Sequence, residues 1–212
     1  MSKLAITRDS NYRDYPLLDY NGPGKGFYTA ILDRLIDRLE YQLSVHGKVL
    51  MIRLVAKYPD EVDAEKSNQC FQYFMEEYRR KLMMHGFSPQ YVWVREQHTS
   101  KNPHYHFVLF LDANRIQYFN RMKEAKWLWV KAICKFNPGA QAMISPHLIH
   151  KDQSVYHSQQ INHGLIVTRN NRALQEEAIR FGSYIAKINT KEATPFNCNC
   201  FHASQLPETE RG

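Results

Sequence analysis

The sequence predicts an α+β domain whose centre is a ferredoxin-like, split βαβ antiparallel sheet of the kind also found in RRM-like folds. Three observations predict it. The regular segments fall in the order strand, helix, strand, strand, helix, strand. Two runs, VLMIRLVA and FVLFL, are nearly continuous apolar sequence of strand length and read as buried strands. The second and third strands are joined by a short polar segment ending in proline, HTSKNP, which suits a hairpin. An additional helix precedes this unit and another follows it.

Residues 1–26 are polar and turn-rich (NGPGKG), without periodicity, and read as an N-terminal arm on the surface. A helix is expected from about Phe27 to Val45, with Ile31, Leu35, Leu39 and Leu43 on one face and His46-Gly47 as its stop. Val49 to Ala56 is the first strand, interrupted only by Arg53. A second helix spans roughly Ala64 to His85, its stripe formed by Phe71, Phe74, Met75, Tyr78 and Leu82, and ends at Gly86. Tyr91 to Gln97 and the strand starting at His104 form the hairpin. A third helix is expected from about Asn114 to Lys135, carrying Ile116, Phe119, Trp127, Val130 and Ile133. Its lysines and arginines (Arg115, Arg121, Lys123, Lys126, Lys131, Lys135) stand against Glu124 alone, which makes it the most basic element and a candidate DNA contact. Ala142 to Thr168 reads as strands around a polar hairpin, clearest at GLIVT. A last helix runs from about Asn171 to Lys191, burying Leu174, Ala178, Phe181, Ile185 and Ile188 at spacings of four, three, four and three. Residues 27–191 thus make the domain, and 192–212 a tail with little from which to build a core.

Composition narrows the class. A chain of 212 residues that is 43% apolar supports one domain with a full core. Its net charge of +7 and pI near 9.2 favour an anionic partner, nucleic acid being the commonest. No apolar run approaches the ~20 residues that span a bilayer, and the N-terminus lacks a signal-peptide core, so a soluble cytoplasmic protein with no membrane partner is expected. Four scattered cysteines do not form a disulfide framework. Cys198, Cys200 and His202 have the donor types for zinc, but no second ligand pair follows at finger spacing.

The candidate chemistry begins at His104-Tyr105-His106. Strand side chains alternate, so both imidazoles point to one face and Tyr105 to the other. The neighbouring hairpin strand brings Glu96 beside them, giving two imidazoles and a carboxylate, a set that suits several divalent metals. His98 shares the parity of Glu96 and is its rival as third ligand. His147, His150, His157 and His163 are irregularly spaced and read as surface residues. On the last helix Tyr184 and Lys187, three apart, sit together at the edge of the buried stripe, beside Arg180.

HYH on a strand, an acidic residue on the strand before it, and a downstream Tyr184-Ile185-Ala186-Lys187 resemble the HUH endonuclease superfamily of rolling-circle replication initiators. More narrowly, SYIAK combined with a REQ-to-HYHF segment is similar to the inovirus-type initiators and the YagK/YfjJ-like proteins of bacterial prophages. The resemblance spans about Val49 to Lys191. It implies a metal-dependent enzyme that nicks and rejoins single-stranded or supercoiled origin DNA through a 5′-phosphotyrosine. Tyr184 would be the nucleophile, Lys187 the phosphate-stabilising cation, and His104, His106 and Glu96 would hold Mn²⁺ or Mg²⁺, with host helicase and polymerase as further partners. Two departures stand out. Many such initiators carry a hydroxyl residue in the first-strand motif, whereas the strand portion of MIRLVAKYP does not. Some phage initiators have a second tyrosine one turn away, where this chain has Arg180 or Ile188, so a single-tyrosine enzyme is expected. Two alternatives remain open at this level. One is an RRM-like nucleic-acid-binding protein without catalysis, stacking bases on Tyr105 and Phe107. The other is a single-tyrosine transposase or relaxase.

Overall fold

A computed structural model of the chain describes residues 4–19, 26–64, 67–97, 100–143, 149–151, 164–188, 191 and 199–207. In chain order, β1 (Ile6–Thr7), β2 (Asn11–Tyr12), β3 (Tyr15–Pro16) and β4 (Phe27–Tyr28) lead into α1 (Thr29–His46) and β5 (Lys48–Lys57). Then come α2 (Gln69–Met84), β6 (Gln90–Glu96), β7 (His104–Asp112) and α3 (Met122–Phe136). The chain closes with β8 (Ile149–Lys151), β9 (Leu165–Thr168), α4 (Arg172–Gly182), a 3-10 turn (Ser183–Ala186) and β10 (Phe201–Ala203).

The architecture is α+β, with an antiparallel six-stranded sheet ordered β10, β6, β7, β5 and then β8. β9 pairs with the other half of the same β5 edge, Lys48 to Met51, while β8 covers Leu54 to Ala56. Strand alternation divides the sheet into two buried faces. Leu50, Ile52, Leu54, Trp93, Tyr105, Phe107 and Leu109 pack under α2 and α3, whereas Val49, Met51, Val92, Val94, Val108 and Phe110 pack under α1 and α4. The predicted stripes of α1 and α2 are the buried ones. α1 ends as expected: Gly47 takes φ 70°, and its N–H reaches the Leu43 carbonyl at 2.9 Å.

Four local features differ from the sequence expectation. The third helix starts at Met122, because the Asp112 carboxylate accepts the Asn114 N–H (2.9 Å) and holds the preceding segment in a turn. Its buried stripe is Ala125, Leu128, Trp129, Ala132 and Ile133; Trp127 is 61% exposed. Residues two apart on a helix point about 200° away from each other, so only one of the two tryptophans can face the core. Trp129 is the one whose Nε1–H finds an acceptor, the Lys57 carbonyl at 2.7 Å. The last helix stops at Gly182, and Tyr184 lies in the 3-10 turn beyond it. Finally, both termini are built in. Tyr15 and Leu17 of the arm are buried against α1 and α4, and Phe201–Ala203 of the tail adds the edge strand beside β6. Segments of two or three residues are too short to show any period.

Of the remaining histidines, His147, His157 and His163 lie outside the described residues, as does Cys198, and His150 is described by its backbone alone.

Candidate metal centre and nucleophile turn

β6 and β7 place Glu96 directly opposite His104, with Val94 opposite His106, so all three donors emerge at the hairpin end of the sheet on the α1/α4 face. Glu96 Oε2 lies 3.6 Å from His104 Nε2 and 3.4 Å from His106 Nε2. One ligand atom from each residue falls within 4.8 Å of the others, the one such group of His, Cys, Asp or Glu among the described residues. Bonds of about 2.1 Å at tetrahedral or octahedral angles separate their donor atoms by roughly 3.0–3.4 Å. The cluster therefore fits a single divalent ion with little movement. His98 lies outside the described residues.

The carboxylate is prepared for that role. Glu96 and His106 are buried and His104 is partly open. Burial alone would raise the Glu96 carboxyl, but Lys191, His104 and His106 together hold it well below the ordinary carboxylate range. Lys191 donates from Nζ to Glu96 Oε1 (2.8 Å) and to the Lys187 carbonyl (2.7 Å). Oε1 is thus engaged, and Oε2 is left facing the imidazoles. Burial in turn lowers Lys191 from its ordinary value, against the pull of Glu96.

Tyr184 approaches this cluster from the 3-10 turn. Its ring centre lies 5.5 Å from that of His106, edge to face, and it is the partly exposed residue in an otherwise buried run from Phe181 to Ile188. Lys187 Nζ sits 3.5 Å from the Tyr184 ring centre, so the turn brings together the pair that the sequence singled out. Arg53, projecting from β5 onto the same face, has Cζ 4.2 Å from the Phe181 ring centre and 4.3 Å from that of Tyr184. Its Nη1 also donates to the Phe181 carbonyl at 2.7 Å.

The N-terminal segment brackets this turn. The Leu18 N–H donates to Ser183 Oγ (3.0 Å), the Ile188 N–H to the Gly26 carbonyl (3.2 Å), and Lys187 bridges to Phe27. Arg53 and Lys191 escaped sequence reasoning as site residues. Each had a signal: Arg53 is the lone charge in VLMIRLVA, and Lys191 follows Lys187 by four.

Tyr105 and Phe107 are fully buried on the opposite face, with Tyr105 stacked on Phe71 at 3.9 Å between ring centres. They are therefore core residues, and bases cannot stack on them. Cys200 is a free, partly buried thiol, and His202 lies ring to ring with Trp93 at 6.0 Å.

Fold and site together define an α+β sheet protein with a His-His-carboxylate cluster facing a partly exposed tyrosine. Residues 9–204 match the family described as the YagK/YfjJ C-terminal domain, and the chain belongs to that family. No curated protein and no solved structure matches it. The match includes most of the arm and β10, in keeping with the packing of both ends against the sheet.

Proposed function

We propose that the protein is a metal-dependent, single-tyrosine DNA nicking and joining enzyme of the HUH type, which initiates rolling-circle replication of phage or plasmid DNA. The observation that carries this reading is the meeting of Glu96, His104 and His106 with Tyr184 on one face of the sheet. The strand order, with β5 between β7 and β8 and β6 beyond β7, supports a ferredoxin-like core.

A phenol with an ordinary pKa of about 10 is a weak nucleophile at neutral pH, so the site has to supply activation and alignment. His104, His106 and Glu96 would hold a divalent ion, Mn²⁺ or Mg²⁺, which would supply Lewis-acid polarisation of the scissile phosphate. Tyr184 oxygen forms the new bond to phosphorus and gives up its proton to solvent. The bond to the 3′-oxygen breaks, and that oxygen leaves as a hydroxyl. Lys187 offsets charge developing on the phosphate. Arg53 holds the ring of Tyr184 in place, and Lys191 fixes the rotamer of Glu96. The phosphodiester is conserved as a 5′-phosphotyrosine, so rejoining needs no nucleotide cofactor.

The test is a nicking assay on single-stranded and supercoiled origin-containing DNA with added Mn²⁺. Wild type should form a covalent adduct. Tyr184→Phe should form none while binding DNA with nearly unchanged affinity, since one hydroxyl is lost. Cleavage surviving in that variant would remove Tyr184 from the reaction.

A further inference from the structure

We infer that the solvent face of α3 is a second nucleic-acid contact, a platform for single-stranded DNA centred on Trp127 and separated by the sheet from the metal cluster. It rests on the DNA-binding part of the proposed function and not on the cleavage step. Lys123, Trp127, Lys131 and Lys135 are all exposed and recur every four residues, so they form one continuous ridge. At 1.5 Å per residue, neighbours along the ridge stand about 6 Å apart, and its ends about 18 Å apart.

Trp127 is 61% exposed, although an indole of this size gains more from burial than almost any other side chain. The core leaves it out because Trp129 already fills the space below α3. Lys131 Nζ stands 5.5 Å from the Trp127 ring centre. A shallow groove beside the ring is lined by Lys81, Lys123, Glu124 and Leu128. One oxygen of each nearby carboxylate is engaged: Glu124 Oε1 meets His85 Nε2 at 2.9 Å, and Glu77 Oε2 meets Arg80 at 2.9 Å.

A linear row of ammonium groups around one exposed aromatic face matches a chain that offers regularly spaced phosphates and unpaired bases. A duplex offers the same phosphates but keeps its bases stacked. A membrane surface needs a broader apolar face than one ring.

The chain's three tryptophans make the test direct, because Trp93 and Trp129 are buried and only Trp127 is open to quenchers in solution. Oligodeoxythymidylate is titrated against the full chain in EDTA, where no divalent-dependent cleavage occurs. The oligomer should quench the fluorescence. Trp127→Ala should weaken binding by about 5- to 150-fold, whereas Trp127→Phe, which keeps a ring, stays within a few-fold of wild type. Replacing Lys123, Lys131 and Lys135 together by Ala should reduce the logarithmic salt slope by about 2. Because EDTA withholds the divalent ion, cleavage takes no part in these readouts, and a failure to nick DNA leaves them untouched. Unchanged affinity in Trp127→Ala would overturn the inference. So would equally strong quenching by a duplex, or anionic phosphatidylserine vesicles competing as well as the oligomer does.

Discussion

Glu96 carries two opposed demands, since one oxygen must be held and the other left available. Lys191 meets the first. Removing one member of a buried ion pair costs about 3–5 kcal/mol, because the survivor is left charged and unpaired. Lys191→Met should therefore lower the stability of the metal-free protein by about 3 kcal/mol, and Mn²⁺ should restore part of that loss by supplying another cation. Thermal melts with and without Mn²⁺ check both halves, and a melt unchanged without the ion would remove Lys191 from this role. His104→Ala and His106→Ala should each abolish the calorimetric signal of Mn²⁺ binding, and Glu96→Ala should weaken it. At this scale the sequence was informative where parity governs: HYH and Glu96 follow from period two alone. It was silent on Lys191 because that contact joins a residue beyond the Ser183–Ala186 turn to β6, and no local period encodes a long-range ion pair.

The Ser183–Ala186 turn is the element on which the proposed chemistry depends, and it is held from three directions. Arg53 supports it from the sheet, Leu18 through Ser183 Oγ, and Gly26 and Phe27 through Ile188 and Lys187. None of these contacts involves Glu96, His104 or His106. Arg53→Met should accordingly lower the cleavage rate by at least about tenfold, the order expected for a misplaced reacting group, with Mn²⁺ affinity within twofold of wild type. Ser183→Ala should have the same selectivity and a smaller effect. Equal losses of metal affinity and cleavage would mean that Arg53 supports the fold rather than the turn. The sequence displayed most of the buried stripe of this region, since a spacing of three keeps side chains on one face of both an α-helix and a 3-10 turn, although Leu174 is only half-buried. That persistence is also why the break at Gly182 was invisible. The exposure of Trp127 was hidden for a related reason, as Trp127 and Trp129 are equally apolar and only packing selects between them.

For the whole molecule, the two faces of the sheet divide the work. The α1/α4 face carries the cluster and the tyrosine, and the α2/α3 face is a dense aromatic core in which Phe71 touches Phe74, Trp93, Tyr105, Phe107 and Trp129. That core also buries Tyr58 and Tyr78, and burial pushes both phenols above their ordinary value. A group whose value is raised in the folded state contributes stability that is complete below the unfolded value and is lost as pH rises beyond it. Stability should therefore hold up to roughly pH 10 and then fall. Denaturation midpoints measured across pH 8 to 11, with phenolate absorbance followed in parallel, check this. Two tyrosines ionising before the protein unfolds would contradict it.

The pairing of β6 with β7, which sets Glu96 opposite His104, has one more consequence. Shifting one strand by a single residue would send both imidazoles into the aromatic core and turn Tyr105 and Phe107 toward the cluster face. Ligation and core packing thus reward the same alignment and penalise the same error. A divalent ion captured during folding would act as an arbiter of strand alignment, stabilising only the chains that had already zipped correctly.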